Sequence, residues 1–248
     1  MLLTCVGGYL SAGGAGAVNH FFDRDIDASM ARTAARPIPA GRVSPRAALA
    51  FGLGLACLSV LELSLAVNPL AAALSFAGFL GYAVLYTIVL KRRTAQNIVI
   101  GGAAGAVPPL VGWAAVRGSV GGTAVILFFI VFFWTPPHFW ALSLLMKGDY
   151  ERAKIPMLPV VRGEAETRRQ ILLYSVLLYA VTQLPFCAGG FGTLYLGCSL
   201  ALGMGFIAAA VRLYRRADRA SALRLYLFSL LYLALLFAAM AADAQLHL

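Results

Sequence analysis

Apolar runs long enough to cross a membrane recur along the whole chain, separated by short polar connections. A helix of about 20 residues spans the hydrocarbon core of a bilayer and satisfies its own backbone hydrogen bonds there. Apolar residues make up 61% of the chain, well above the roughly 45–50% of soluble domains. The sequence therefore predicts an all-α, polytopic transmembrane helix bundle that forms a single integral-membrane domain over 1–248. The predicted spans are 1–22, 46–66, 69–89, 96–116, 121–144, 170–188, 191–211 and 223–243.

The basic residues lie in alternate connections between these spans. Every Lys and Arg except Arg117 falls within 23–46, 90–95, 145–169 or 212–224. Cytoplasmic loops of membrane proteins carry such an excess of Lys and Arg. The pattern therefore predicts a multi-pass protein of the inner (cytoplasmic) membrane with these four connections on the cytoplasmic side. Topology thus accounts for the formal net charge of +10, and a nucleic-acid partner is not predicted.

Three polar residues at the end of the first span, Asn19, Asp23 and Asp27, follow one another at intervals of four. On a helix this spacing places them in one stripe. The two carboxylates repel each other unless a cation lies between them, and their hard oxygen atoms suit Mg²⁺ shared with a substrate phosphate. Arg24, Arg32 and Arg36 surround the acids and offer planar donors for phosphate oxygens. The alternative is a charge cluster at the membrane surface whose Asp and Arg residues pair with each other.

A second polar group lies in the fifth predicted span. Pro136-Pro137 removes two backbone donors and is expected to kink or restart the helix, and His138 follows directly. Asp149 would lie under His138 if the helix continued that far. An ionisable side chain within a membrane is costly and usually faces a cavity or a partner. For His138 the alternatives are a neutral histidine hydrogen-bonded between helices and a contact with a substrate or a haem iron.

A third group, Lys91 and Arg92, lies in the connection after the third span. These cations can grip a phosphate, or they can act only as a topology anchor. In the next span Gly101 and Gly105 share a helix face, and a Gly-x-x-x-Gly pair is typical of close helix packing. Pro108-Pro109 in the middle of that span predicts a break, which again indicates an interior cavity.

These groups together resemble the intramembrane prenyltransferases and, within that superfamily, the protoheme IX farnesyltransferases, also called haem O synthases. The resemblance covers residues 1–175, and the remaining spans are similar to the family only in hydropathy. The motifs that carry it are Asn19 and Asp23-Arg24-Asp25-Ile26-Asp27, Lys91-Arg92-Arg93-Thr94, Gln96-Asn97-Ile98, Pro108-Pro109-Leu110, the run from Trp134 to Leu142, Asp149-Tyr150, and the run from Ile155 to Pro159.

The resemblance implies an enzyme that joins the farnesyl group of farnesyl diphosphate to a vinyl group of haem B, making haem O for terminal oxidases with Mg²⁺ as cofactor. It also implies a central cavity open to the cytoplasm, and it suggests haem A synthase or terminal oxidase assembly as protein partners. His138, where relatives with aromatic acceptors place an acid, is the mark of the haem branch. The implied roles are catalytic for Asn19, Asp23, Asp27 and Asp149, metal-binding for Asp23, Asp27 and Asp149, diphosphate-binding for Lys91, Arg92, Arg32 and Arg36, and haem- or acceptor-binding for His138, Trp134 and Tyr86.

The family has nine transmembrane helices and eight are predicted here. Met1 falls where the family's second helix begins, so we expect the first helix to be missing, through a misassigned start or a shortened form. A prenyltransferase for a quinone-type aromatic acceptor is the nearest alternative function, and His138 argues against it. A membrane transporter is more distant, because broken helices and intramembrane acids also mark transport sites, although here the acids cluster at one face beside arginines. A catalytically silent assembly protein is the third alternative.

Overall fold

The computed structural model describes residues 1–246, and the regular elements in that range are all helices. Seven helical segments are long and apolar enough to cross a membrane. The predicted all-α, polytopic membrane architecture is therefore confirmed. The first helix has 21 residues but is not among these seven, so the number of spans stays a prediction.

Backbone contacts group the chain into two units. The first comprises Met1–Ala124 with Gly148–Met157, and the second comprises Val125–Lys147 with the chain from Leu158 onward. The first unit contains α1 (Leu2–Phe22), α2 (Arg24–Ser29), α3 (Pro45–Ala66), α4 (Pro69–Leu80), a π-helix (Gly81–Leu90), α5 (Asn97–Gly105), α6 (Pro108–Arg117) and most of α8 (Lys147–Arg152). The second contains most of α7 (Gly122–Leu145), then α9 (Leu158–Val161), α10 (Gly163–Cys187), α11 (Thr193–Arg216) and α12 (Arg219–Leu246).

In the first unit α1 packs along α3 at glycine contacts. A Cβ atom on Gly14 would lie 2.7 Å from the backbone oxygen of Gly52, so only glycine allows the two backbones to come this close. The Ser59 hydroxyl also donates to the backbone oxygen of Gly7 at 2.7 Å. Small residues at helix contacts are how membrane helices gain packing energy. This contact fixes the position of α1, which carries the acid stripe at its end.

In the second unit a buried acid ties α12 to the start of α11. The two carboxylate oxygens of Asp243 accept from the backbone N–H groups of Gly192 at 2.6 Å and Tyr195 at 3.0 Å. The unpaired N–H groups and the positive dipole end of α11 are thereby satisfied. The Tyr195 hydroxyl in turn donates to the backbone oxygen of Thr182 on α10 at 2.6 Å.

The proline pairs behave differently from each other. The break predicted at Pro108-Pro109 is confirmed, since α5 ends at Gly105 and α6 begins at Pro108. Of the two outcomes predicted at Pro136-Pro137, the restart is wrong, because α7 continues through both prolines, and the kink stays a prediction. Each proline lacks the backbone N–H group that would donate a helical hydrogen bond. Next to them, the Thr135 hydroxyl donates to the backbone oxygen of Val131 at 2.8 Å, which is an additional hydrogen bond in this part of the helix.

The condition under which Asp149 would lie below His138, one continuous helix, is not met. Helix α7 ends at Leu145, and Asp149 lies on the separate short helix α8. Lys147, Gly148 and Asp149 form a polar sequence that ends the apolar run, so the chain leaves the span before it reaches the acid. His138 and Asp149 therefore do not lie on one continuous helix face.

Candidate active site

Helical hydrogen bonds continue from α1 into α2 through Asp23. The Asp23 N–H donates to the backbone oxygen of Asn19 at 2.9 Å, and the Asp27 N–H donates to that of Asp23 at 2.7 Å. The three side chains therefore lie on one stripe, as the spacing predicted, and none is more than 6% exposed. The Asn19 amide donates to Asp23 Oδ2 at 2.7 Å and to the Thr87 hydroxyl at 3.1 Å. We refer to Asn19, Asp23 and Asp27 as the acid stripe.

Both carboxylates of the acid stripe have basic partners. Arg36 Nη1 donates to both oxygens of Asp27 at 2.8 Å. Lys91 forms an ion pair with Asp23 Oδ2, and Arg92 Nη2 lies 3.7 Å from Asp23 Oδ1. Three of the four predicted phosphate-binding cations therefore converge on the stripe. The charge-cluster alternative predicts the same pairs, so pairing alone does not decide between the two interpretations.

Arg92 has a second, exposed partner. Its two terminal nitrogens each lie 2.7 Å from one oxygen of Asp25. These hydrogen bonds hold the pKa of Asp25 at about 2, and Asp25 raises the pKa of Arg92. The Asp25 side chain is 62% exposed, so the pair contributes little to stability. It does hold the Arg92 guanidinium beside the acid stripe.

Arg32, the fourth predicted phosphate donor, lies elsewhere. It is exposed, and within residues 1–246 it forms no hydrogen bond or ion pair with the acid stripe. Its charge instead acts on Tyr150, whose pKa is raised by burial and partly lowered again by Arg32. A phosphate-binding role for Arg32 stays a prediction.

One oxygen of the acid stripe has an ion-pair contact at 3.7 Å but accepts no hydrogen bond among the described residues. Asp23 Oδ1 is buried and has no hydrogen-bond partner among the described residues. With Asp27 it provides two carboxylates, and Mg²⁺ is commonly held by one or two carboxylates plus substrate phosphates. Within residues 1–246 no three His, Cys, Asp or Glu side chains form a metal-binding group, and the Asp149 carboxylate pairs with Arg152. The stripe therefore fits Mg²⁺, while a metal-ligand role for Asp149 stays a prediction.

An apolar cavity of about 560 Å³ lies in the first unit between α1, α4, the π-helix, α5 and α6. Helix α1 lines it from Thr4 to Gly16, which is one turn before Asn19. Small residues provide the space, since a Cβ atom on Gly8 or on Gly16 would meet no atom within 4 Å. The cavity and the acid stripe are therefore neighbours along α1.

Tyr86, a predicted acceptor-binding residue, lies in the π-helix of the first unit. Its ring centroid is 5.5 Å from that of Tyr82, which lines the cavity. A Cβ atom on Gly101 would lie 2.4 Å from Tyr86 Cδ2, so the close packing predicted at Gly101 is present. Gly105 instead lines the cavity, and a Cβ atom there would meet no atom within 4 Å. The acceptor role of Tyr86 stays a prediction.

His138 and Trp134 lie on α7 in the second unit. The His138 ring stacks between Trp134 and Tyr226, with centroid distances of 4.3 and 4.9 Å. His138 Nδ1 lies 2.7 Å from the Ser229 hydroxyl oxygen, and Trp134 Nε1 donates to the Ser229 backbone oxygen at 2.8 Å. The hydrogen bond between helices that the sequence analysis kept as an alternative is therefore present. It uses only Nδ1, and Nε2 has no hydrogen-bond partner within the part of the chain that the structure describes.

The UbiA prenyltransferase family model matches residues 1–240 of this chain. The chain belongs to the UbiA prenyltransferase family. This confirms the predicted superfamily, and it argues against the transporter alternative.

Relatives within the UbiA family refine the assignment. The chain is 56% identical over 243 residues to "Protoheme IX farnesyltransferase" of Chloroflexus aurantiacus, covering 98% of this chain and 41% of that one. It is 55% identical over 244 residues to the protein of the same name from Symbiobacterium thermophilum, covering 98% of this chain and 82% of that one. The predicted resemblance to protoheme IX farnesyltransferases is confirmed, although the chain spans less than half the length of the Chloroflexus relative.

Solved structures of other membrane proteins share the fold. The structure of a digeranylgeranylglyceryl phosphate synthase has a TM-score of 0.81 at 22% identity, with 98% of this chain and 85% of that chain covered. A UbiA homologue from Archaeoglobus fulgidus bound to DMAPP and Mg²⁺ has a TM-score of 0.66 at 15% identity, with 97% of this chain and 88% of that chain covered. At this identity the likeness shows the fold alone.

Sequence reasoning missed three residues that contact the predicted site residues. Thr87 accepts the hydrogen bond of Asn19, and Ser229 and Tyr226 hold His138. Each is one polar or aromatic residue inside an apolar run, and such residues are common in membrane helices. Only the three-dimensional pairing separates them from ordinary packing residues.

Proposed function

We propose that this chain transfers the farnesyl group of farnesyl diphosphate to a vinyl group of haem B, giving haem O. The observation that carries the proposal is the buried acid stripe with its basic partners, one helical turn from the apolar cavity. This arrangement suits a ligand with a diphosphate head and a long apolar tail. The identity of the acceptor is supported by the relatives named protoheme IX farnesyltransferase.

The diphosphate end would be bound by the acid stripe and its cations. Asp23 and Asp27 are the residues that would hold Mg²⁺, which the Archaeoglobus homologue binds together with DMAPP. When bound, this ion neutralises negative charge on the departing diphosphate. Lys91, Arg92 and Arg36 already lie at the stripe, so each can exchange a carboxylate partner for a phosphate oxygen. Their positive charges then stabilise the leaving group as its bond to carbon breaks.

The farnesyl chain would occupy the cavity. The length of the farnesyl chain is obtained from the length per bond of an extended chain. An extended peptide advances ~3.3–3.6 Å over the three main-chain bonds of one residue, and three isoprene groups contribute four such bonds each, so an extended farnesyl chain is about 14 Å long. The cavity follows α1 from Gly16 to Thr4, twelve residues that correspond to about 18 Å of helix. Its length therefore accommodates the whole chain. Its mostly apolar lining offers few hydrogen-bond partners to water, which would otherwise capture the allylic cation.

The acceptor end would use the second unit. The C–O bond of the allylic diphosphate breaks, and its electron pair leaves with the diphosphate. The vinyl group of haem B then forms the new C–C bond, and water adds a hydroxyl to the neighbouring carbon and releases one proton. We assign His138 to the haem side, as a ligand of the haem iron. Its ring stacks between Trp134 and Tyr226, and its Nε2 has no hydrogen-bond partner among the described residues.

The same reasoning extends to topology and partners. The concentration of Lys and Arg in alternate connections supports an acid stripe facing the cytoplasm, where farnesyl diphosphate is soluble. Contact with haem A synthase or with terminal oxidase assembly stays a prediction from the family resemblance.

Two isosteric substitutions test the proposal. Asp23→Asn and Asp27→Asn remove the negative charge that would hold Mg²⁺, so haem O formation should fall by at least about 100-fold, as expected when several kcal/mol of leaving-group stabilisation are lost. Purified protein in nanodiscs is supplied with farnesyl diphosphate, Mg²⁺ and haem B, and haem O is measured by mass spectrometry. A parallel reaction with a quinone-type phenol as acceptor tests the nearest alternative.

The control is Glu166→Gln, which also removes one carboxylate but from the ion pair with Arg169 on α10. It should retain activity close to that of the unmodified protein. Near-normal haem O formation in both aspartate variants would remove the diphosphate site from the acid stripe. Prenylation of the phenol in preference to haem B would replace the proposed acceptor.

A further inference from the structure

We propose that Ser229 is a positioning residue, which holds His138 as the tautomer with its proton on Nδ1 and so leaves the lone pair of Nε2 for the acceptor substrate. The tautomer is argued from hydrogen-bond geometry alone. The identity of the acceptor as haem rests on the proposed function. The experiments below separate these two parts.

The hydrogen bonds of Ser229 fix the direction of the contact with His138. The Ser229 hydroxyl donates to the backbone oxygen of Tyr226 at 2.6 Å, and the same hydroxyl oxygen lies 2.7 Å from His138 Nδ1. A serine hydroxyl carries one proton and two acceptor lone pairs. If that proton pointed at His138, the hydroxyl and carbonyl oxygens would face each other at 2.6 Å with no proton between them. His138 Nδ1 must therefore be the donor.

The imidazole ring is also held against rotation. Trp134 and Tyr226 stack on its two faces with interplanar angles of 18° and 26°, and the edge of Phe139 approaches at a centroid distance of 5.0 Å. Trp134 is itself anchored, since its Nε1 donates to the Ser229 backbone oxygen at 2.8 Å. The side chain of Ser229 therefore determines which ring nitrogen of His138 carries the proton, and its backbone oxygen fixes the Trp134 ring that stacks on His138.

The position of the proton determines what Nε2 of His138 can bind. In a neutral imidazole with the proton on Nδ1, Nε2 is unprotonated and can accept a hydrogen bond or coordinate a metal. A partner on the other ring nitrogen fixes the tautomer and ring direction of a metal-binding histidine and raises its basicity. Ser229 thus prepares Nε2 of His138 before any substrate arrives.

The first experiment reads the tautomer without haem. Nitrogen-15 NMR of histidine-labelled protein in nanodiscs distinguishes a proton on Nδ1 from one on Nε2, and a His138→Gln variant assigns the signal among the three histidines of the chain. The unmodified protein should show the proton on Nδ1, and Ser229→Ala should shift the population towards Nε2. Ser229→Thr, which keeps the hydroxyl, should restore the original spectrum. A proton on Nε2 in the unmodified protein, or an unchanged tautomer in Ser229→Ala, overturns the inference.

Ser175→Ala is the matched control. Ser175 is also a buried serine in a membrane helix, but its hydroxyl donates only along its own helix, to the backbone oxygen of Ile171 at 2.6 Å. Its replacement should leave the His138 signal unchanged. A shift of that signal in the control would mean that the Ser229 effect is general loosening of the bundle, which overturns the positioning role.

The second experiment reads haem binding. Changes in the hydrogen-bond partner of a metal-binding histidine typically weaken metal affinity about 10- to 100-fold, so haem titration followed at the Soret band should show that loss in Ser229→Ala and not in Ser175→Ala. Equal haem affinity in Ser229→Ala and the unmodified protein overturns the positioning role. If His138→Gln binds haem like the unmodified protein, the acceptor site of the proposed function fails, and the NMR result still decides the tautomer.

Discussion

A leucine at Gly8 should shorten the apolar cavity and change which prenyl diphosphate the protein accepts. Gly8 lines the cavity eight residues before Gly16, the cavity residue of α1 nearest to Asn19, about 12 Å along the helix axis. An extended farnesyl chain of about 14 Å that enters the cavity at Gly16 reaches the level of Gly8 with its terminal isoprene group, whereas a geranyl chain of about 9 Å stops short of it. A Cβ atom on Gly8 meets no atom within 4 Å, so the new side chain can enter the cavity without a clash.

The size of the effect follows from the surface that is no longer buried. Expelling the terminal isoprene group removes five carbons from the cavity, at ~0.8 kcal/mol per carbon, for a loss of at most about 4 kcal/mol. A farnesyl chain that folds back within the cavity retains part of this burial free energy. Since each 1.4 kcal/mol is a factor of ten, kcat/KM for farnesyl diphosphate should fall about 10- to 1,000-fold relative to that for geranyl diphosphate. Gly16→Leu, one turn from Asn19, should lower both values together.

The assay is a competition. Purified variants in nanodiscs receive haem B with equal concentrations of farnesyl and geranyl diphosphate, and the two prenylated haems are quantified by mass spectrometry. Gly54→Leu is the matched control, because Gly54 is an exposed helix glycine of α3 outside the cavity, where a Cβ atom also meets no atom within 4 Å.

Two results would refute the reasoning about the cavity. If Gly8→Leu lowers the use of both diphosphates equally, or of neither, the cavity does not hold the end of the prenyl chain. If Gly54→Leu changes the product ratio as much as Gly8→Leu does, the effect comes from leucine in a membrane helix and not from the shape of the cavity.

Two further substitutions probe packing and charge in the first unit. Gly101→Ala should destabilise the protein by ~1–3 kcal/mol in thermal unfolding, because the new methyl group overlaps Tyr86. Gly105→Ala is the control and should be neutral or stabilising. Equal stability of the two variants would contradict the packing argument. Lys91→Gln leaves the buried Asp23 without its close cation, so stability should fall by ~3–5 kcal/mol and KM for farnesyl diphosphate should rise more than KM for haem. Normal stability and an unchanged ratio of the two KM values would leave Lys91 with a role in topology only.

Local periodicity allowed the acid stripe to be predicted from the sequence. Residues four apart share a helix face whatever the rest of the chain does, and Asn19, Asp23 and Asp27 lie as that rule requires even though α1 and α2 meet at Asp23. Hydropathy predicted the apolar helices because it too depends only on neighbouring residues in the sequence. The proline pairs show the limit of local rules, because Pro108-Pro109 ends one helix while Pro136-Pro137 lies within another.

Contacts between distant segments could not be predicted in this way. Lys91 reaches Asp23 across 68 positions of sequence, and Ser229 reaches His138 across 91. A long flexible cation in a loop gives no sequence signal of which acid it will meet, and a serine in an apolar span gives none of which imidazole it will hold. The residue types indicated the chemistry, and the packing of the helices determined the partners.

The pairing of acids with bases explains how such a site can exist before its substrate binds. Asp23 and Asp27 are 0% and 2% exposed, and isolated carboxylates so deeply buried would be strongly destabilising. Lys91 and Arg36 offset that cost in the structure without substrate. A bound Mg²⁺–diphosphate would offer the acids a cation and the bases an anion at once, so each group exchanges one opposite charge for another. On the proposed function, the charge cluster and the diphosphate site would therefore be two states of the same residues.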